Sequence, residues 1–184
     1  MTTQSMEKLI FNGKEIHMAS EPLASYLSNL KEKPKLFPPS SGCWRGYYGK
    51  WEINDDRLYL IDLECYTANM EERTYRKVGL DFIFPNEERV FAEWFTGEIR
   101  IPQGEMLNYV HGGFDSIYEL DLFLELRNGH LIGKRTVDNL LRLSEALMDM
   151  NNKIPSNRIS FSTMILDTLK KINYSFFNRI HNHK

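Results

Sequence analysis

Between residues 43 and 135 the apolar side chains recur mainly at every second position, the spacing of strands whose two faces meet different surroundings. The plainest stretch is Tyr118, Leu120, Leu122, Leu124 and Leu126, interleaved with Glu119, Asp121, Glu125 and Arg127. Asn128-Gly129 then reverses the chain into a strand over 131–133. Both residue types accept positive φ, which a two-residue type I′ hairpin turn requires. The same argument predicts an N-terminal hairpin over 8–18, with Leu9, Phe11, Ile16 and Met18 flanking Asn12-Gly13. A third hairpin joins strands over 44–53 and 58–66 through Asn54-Asp55-Asp56, and its second strand sets Tyr59, Ile61, Leu63 and Cys65 opposite Asp62 and Glu64. Residues 79–84 read as a short apolar strand and 90–101 as a long one in which Gly97 marks a bulge. Pro102-Gln103-Gly104 reads as a turn into a further strand over 106–110.

Two parts of the chain follow a helical period instead. Ser20 as cap, Pro22 in the first turn, and Leu23, Tyr26, Leu27 and Leu30 predict a helix over 20–31. It gives way to an irregular stretch over 31–42 containing Pro34, Pro38, Pro39 and Gly42. After Arg135, Thr136 is the expected cap of a helix carrying Val137, Leu140, Leu141, Leu143, Leu147 and Met148. A break over 154–157 precedes a last helix with Met164, Ile165, Leu169, Ile172, Phe176 and Phe177 on one broad face. Helices that cluster at the ends instead of alternating with strands predict an α+β class. The expected architecture is one domain over 1–184: a curved antiparallel β-meander or partly open barrel over 43–135, preceded by the 8–18 hairpin and the 20–31 helix. Two C-terminal helices over 136–180 complete it.

Composition narrows the function classes. With 184 residues, 42% hydrophobic and 26% charged, the chain is of ordinary globular make-up and suffices for one substantial core. A net charge of −2 gives no basic field to draw it onto nucleic acid. No apolar run approaches the length of a membrane span, and residues 1–8 lack the apolar segment of a secretory signal, so a cytoplasmic location is expected. The two cysteines, Cys43 and Cys65, lack C-x-x-C spacing and read as buried thiols. Phosphate-loop, dinucleotide, zinc-protease, serine-hydrolase and EF-hand patterns are absent from the sequence, so no cofactor or metal is expected.

Three groups of residues carry candidate chemistry. His111-Gly112-Gly113-Phe114-Asp115 sets an imidazole and a carboxylate at a strand connection, where His can serve as base and Asp as its orienting partner. Equally, Gly-Gly followed by Asp is common turn chemistry. Among the strand carboxylates Glu52, Asp62, Glu64 and Glu93, Asp62 and Glu64 fit a solvated face. Glu93 shares a pleat face with Phe91, Phe95 and Ile99 and therefore calls for a cation, with Arg45 or Arg100 as the expected partner. Trp44, Tyr47, Tyr48 and Trp51, mixed with Arg45, Lys50 and two glycines, suit a ligand or partner surface, or else core packing. His17, His130, His181 and His183 are scattered.

Without a motif for a reaction, whether the chain is an enzyme stays open. The leading expectation is a non-catalytic protein-binding domain, of the immunity- or antitoxin-like inhibitor or accessory-subunit kind. The alternative is a β-cup for a small ligand, or an enzyme, with His111, Asp115, Glu93 and Arg45 at its mouth.

Overall fold

The computed structural model describes residues 3–69 and 74–145. The chain divides into two compact units, Met1–Val137 and Asp138–Lys184. In the first, β1 (Glu7–Phe11) and β2 (Lys14–Met18) form the expected hairpin, and α1 (Pro22–Asn29) follows. Asn12 at φ 51° and Gly13 at φ 72° make the turn with both central residues in the left-handed region, as the Asn-Gly pair implied. Ser20 does not cap α1: Glu21 is the N-cap residue, and Ser20 Oγ accepts the backbone N–H of Arg100 at 3.0 Å.

Residues 30–46 are irregular, as the prolines dictate, and lead into β3 (Tyr47–Asn54) and β4 (Arg57–Asn69). Then come β5 (Thr74–Val78), a 3₁₀ turn (Leu80–Phe82), β6 (Val90–Phe91), β7 (Gly97–Asn108), β8 (Ile117–Arg127) and β9 (His130–Asp138). The nine strands join in one unclosed sheet ordered β2-β1-β3-β4-β9-β8-β7, with β5 and β6 also pairing β4. Pairing is antiparallel except between β1 and β3, which run parallel, so the sheet is mixed and not a pure meander. Near one end its two outer strands approach each other, where Ala19 N–H donates to Arg100 O at 2.8 Å.

Several expected boundaries move, for physical reasons. Leu58 and Leu60 are buried, and so are Leu63 and Cys65, so the inward parity of β4 changes between them. Leu60 pairs Trp51 and Asp62 pairs Lys50, leaving Ile61 as the extra residue of a β-bulge. The expected single face of Tyr59, Ile61, Leu63 and Cys65 is therefore split. Residues 79–84 are not a strand: Leu80 is buried, and Phe84 lies 4.8 Å from Tyr26 of α1 and 5.7 Å from Trp94, all ring centroids, so the segment is folded over the helix. Trp94 Nε1–H also donates to Pro22 O at 3.0 Å, at the start of that helix. The long strand expected over 90–101 is interrupted after Phe91, where Phe95 N–H bonds Ala92 O at 3.0 Å. Pro102-Gln103-Gly104 is no turn; the proline is tolerated inside the outer strand β7, and the register shifts between Gln103 and Met106. The β8–β9 hairpin has the expected turn, with Asn128 at φ 47° and Gly129 at φ 75°.

The core joins Leu9, Met18, Leu23, Tyr47, Trp51, Leu58, Leu60, Ile99, Ile101, Leu124 and Leu126. In the second unit, β9 ends one residue inside it, residues 139–145 are helical, and Asp138 rather than Thr136 caps them, its Oδ1 accepting the N–H of Leu140 at 3.0 Å and of Leu141 at 3.1 Å. The rest of the expected first C-terminal helix, with Leu147 and Met148, the whole last helix, and His181 and His183 lie outside the described residues. Among the described residues no helix is long and apolar enough to cross a membrane.

Candidate functional site

The four residues expected at a cup mouth do not assemble. His111 and Asp115 are both exposed in the β7–β8 connection, and His111 Nδ1 lies 2.9 Å from the Tyr109 hydroxyl, which also accepts from Thr3 Oγ1 at 2.9 Å. Glu93 is exposed in the turn after β6 and is not on a pleat face with Ile99, because the strand that would have put it there is interrupted. Arg100, one of its expected partners, is held by Asp121 Oδ1 at 2.8 Å, Phe114 O at 2.7 Å and Ser116 O at 2.9 Å. Among the described residues no hydrogen bond or ion pair joins any two of Arg45, Glu93, His111 and Asp115, and no three His, Cys, Asp or Glu side chains gather as metal ligands would.

Arg45 belongs elsewhere, to a buried polar cluster that sequence reasoning missed. Glu7 stands on β1 in phase with Leu9, and its side chain is 0% exposed. Trp51 Nε1–H donates to its Oε2 at 2.5 Å, and Arg45 Nε lies 3.0 Å from its Oε1. That second contact is an attraction between charges without an aligned hydrogen bond, since neither atom has a hydrogen-bond partner of proper geometry. The guanidinium continues to Glu21 Oε1 at 3.4 Å and donates to Ser5 O at 2.9 Å, while its plane lies over the rings of Tyr47 and Tyr48. Burial pushes Glu7 up from 4.5 to about 7, with Arg45 and the Trp51 hydrogen bond opposing the rise. Burial likewise raises the Tyr47 phenol, whose hydroxyl has no hydrogen-bond partner. The sequence signal for Glu7 was its place two residues before Leu9, a carboxylate on the inward face of a strand.

Of the four aromatics expected on a partner surface, Tyr47 and Trp51 are fully buried in the core and form no surface. The period-two pattern of β3 turns both inward, and only Trp44 and Tyr48 reach solvent. Through Trp51 and Arg45 the Glu7 carboxylate fastens β1 to β3 and to the loop before it.

The exposed chemistry lies on β5. Thr74, Tyr75, Arg76 and Lys77 are all exposed, and among the described residues β5 pairs with β4 alone. Tyr75, at 70% exposure, leans on Phe37 with ring centroids 5.2 Å apart. Lys77 Nζ is paired with Glu64, whose other oxygen accepts from Tyr66 at 2.5 Å, and these two donors hold that carboxyl below the usual range. A shallow pocket lined by Arg76, Lys77, Val78, Gly79, Asp81 and Phe82 lies where β5 ends and the 3₁₀ turn begins. Compared with protein-family models, curated proteins and solved structures, the chain matches none.

Proposed function

We propose that this chain is a non-catalytic protein-binding domain that docks a partner on the edge of β5. The observation that carries the reading is the edge from Tyr75 to Val78: among the described residues this strand is paired on one side, with Tyr75 standing out and backed by Phe37. An open edge presents a row of unpaired backbone donors and acceptors, and adding a strand there is a recurrent mode of peptide recognition. An exposed tyrosine held by a neighbouring ring loses little side-chain freedom on binding, which is why tyrosine is enriched at interfaces. Arg76 and the pocket down to Phe82 supply side-chain contacts beside the backbone ones.

The test places a photo-crosslinking amino acid at position 75, and in a second protein at exposed Lys14, in the producing cells. A discrete adduct formed at 75 and absent at 14 supports the proposal. The same adducts from both positions, or none from position 75, overturn it.

A further inference from the structure

We infer that the β1–β2 hairpin is a proton-controlled latch: with Glu7 neutral it lies closed on β3, and with Glu7 ionised it opens from β3 more often, uncovering the β3 edge. The hairpin reaches the rest of the sheet through the parallel pairing of Lys8, Leu9 and Ile10 with Lys50, Trp51 and Glu52. Glu7 sits beside that ladder with no exposed surface. What surrounds it does not balance a negative charge. From the loop before β3 comes one guanidinium, Arg45, which divides its contacts among Glu7, Glu21 and Ser5 O. From the start of α1 comes a second carboxylate, Glu21. From β3 come Trp51 and Tyr47, both without charge, and Cys43 spends its thiol hydrogen on Tyr47 O at 3.1 Å. Across the hairpin, Glu7 faces apolar Met18.

One cation shared by two carboxylates leaves a buried carboxylate under-compensated, whereas a carboxylic acid at the same place carries no charge to desolvate and keeps the Trp51 hydrogen bond on its Oε2. The direction of the Glu7 pKa agrees with this reading. The hairpin's other fastenings are independent of it: the Ala19 N–H bond to Arg100 O ties the end of β2 to β7, and Glu15 on β2 lies 2.9 Å from both Lys8 and Lys50, whose hydrogen bonds, Lys50's first, lower its carboxyl to about 2. That clamp does not change around neutrality, and Glu7→Gln separates the Glu7 response from any contribution of His17, which pairs Lys8 on the same hairpin. Opening admits water to Glu7 and returns it toward its ordinary value, so rising pH favours the open form until Glu7 is ionised in the closed form as well.

The experiment is amide hydrogen exchange followed by NMR on the full chain from pH 6 to pH 8, corrected for base catalysis. A carboxyl that moves from about 7 when closed to 4.5 when open raises the opening constants of Ile10 and Trp51, on the two sides of the β1–β3 ladder, by about tenfold over that interval. Ile99 and Leu124 of β7 and β8 are expected to hold steady, and Glu7→Gln to flatten the hairpin response to less than about twofold. A flat response in the wild type, an equal rise in β7 and β8, or an unchanged rise in Glu7→Gln overturns the inference. Should that variant not fold, a carbon-13 titration of the Glu7 carboxyl in the native protein decides: a midpoint near neutrality upholds the latch, and one below pH 5.5 ends it.

Discussion

Gly49 has no side chain because the Glu7–Trp51 hydrogen bond occupies the space where one would be. A Cβ at position 49 would overlap Glu7 Oε2 and stand 2.6 Å from Trp51 Nε1. Both atoms belong to buried groups fixed by their strands, so neither can swing aside. Gly49→Ala is therefore expected to break the bond and to destabilise the fold by about 1–3 kcal/mol, the usual cost of overpacking a tight interior. Urea unfolding followed by tryptophan fluorescence measures it, and an alanine tolerated without loss would show that the bond is not formed in solution.

Arg45 offers a prediction with a pH sign. The Glu7 pKa is raised in the folded state, so its stabilising contribution is complete below about 4.5 and is lost as pH rises through about 7. Arg45 opposes that loss. Arg45→Met is accordingly expected to cost most where Glu7 is ionised, about 3–5 kcal/mol at pH 8, as for other buried pairs deprived of one partner. At pH 5, where Glu7 is neutral, the loss should be clearly smaller. Equal losses at the two pH values, read from urea midpoints, would show that Arg45 acts through packing on Tyr47 and Tyr48 and not through charge.

How far the sequence could be read depends on whether each feature was local. The turns at Asn12-Gly13 and Asn128-Gly129 were legible because their φ requirement is satisfied by the two residues themselves. The irregular run with Pro34, Pro38 and Pro39 was legible for the same reason. The parity change in β4 was not, because the bulge at Ile61 exists only in relation to the partner residues Lys50 and Trp51. Residues 79–84 were read as a strand from their apolar run, yet the rings of Tyr26 and Trp94, distant in sequence, decide their path. Arg45 was picked out as a candidate while its partner Glu7 was overlooked, since a glutamate next to a lysine at the start of a strand looks like a solvated end. Strand β5 was not anticipated: four exposed residues in a row carry no alternation to detect.

Arg100 makes a third test. Its guanidinium gathers Asp121, Phe114 O and Ser116 O, which binds β7 to β8 and to the end of the connection between them. Arg100→Met removes hydrogen bonds to two backbone carbonyls and a carboxylate that is 8% exposed. Partial exposure of Arg100 itself, at 20%, tempers the charge effect, and a loss of about 2–3 kcal/mol is expected. The more specific outcome is local: amides of residues 110–116 should lose exchange protection more than those of β3 and β4. Uniform loss across the sheet would mean that the arginine supports the fold as a whole and not this connection.

The thiol of Cys65 tests the edge that the proposed function needs. Its residue pairs Tyr47 on β3 and Val78 on β5, so it lies where β5 joins the core. Burial, followed by the nearby charges of Asp81 and Glu64, raises its pKa to about 12. At pH 8 only about one molecule in ten thousand would carry the reactive thiolate, and the buried sulfur is shielded besides. Native protein is thus expected to give no rapid reaction with an aromatic disulfide reagent, and both Cys43 and Cys65 should react once the chain is unfolded. A single fast thiol in native protein, assigned to Cys65 by Cys65→Ser, would mean that β5 leaves β4 readily. The partner would then meet a detached segment and not a formed strand edge, and the docking proposal would fail at its first requirement.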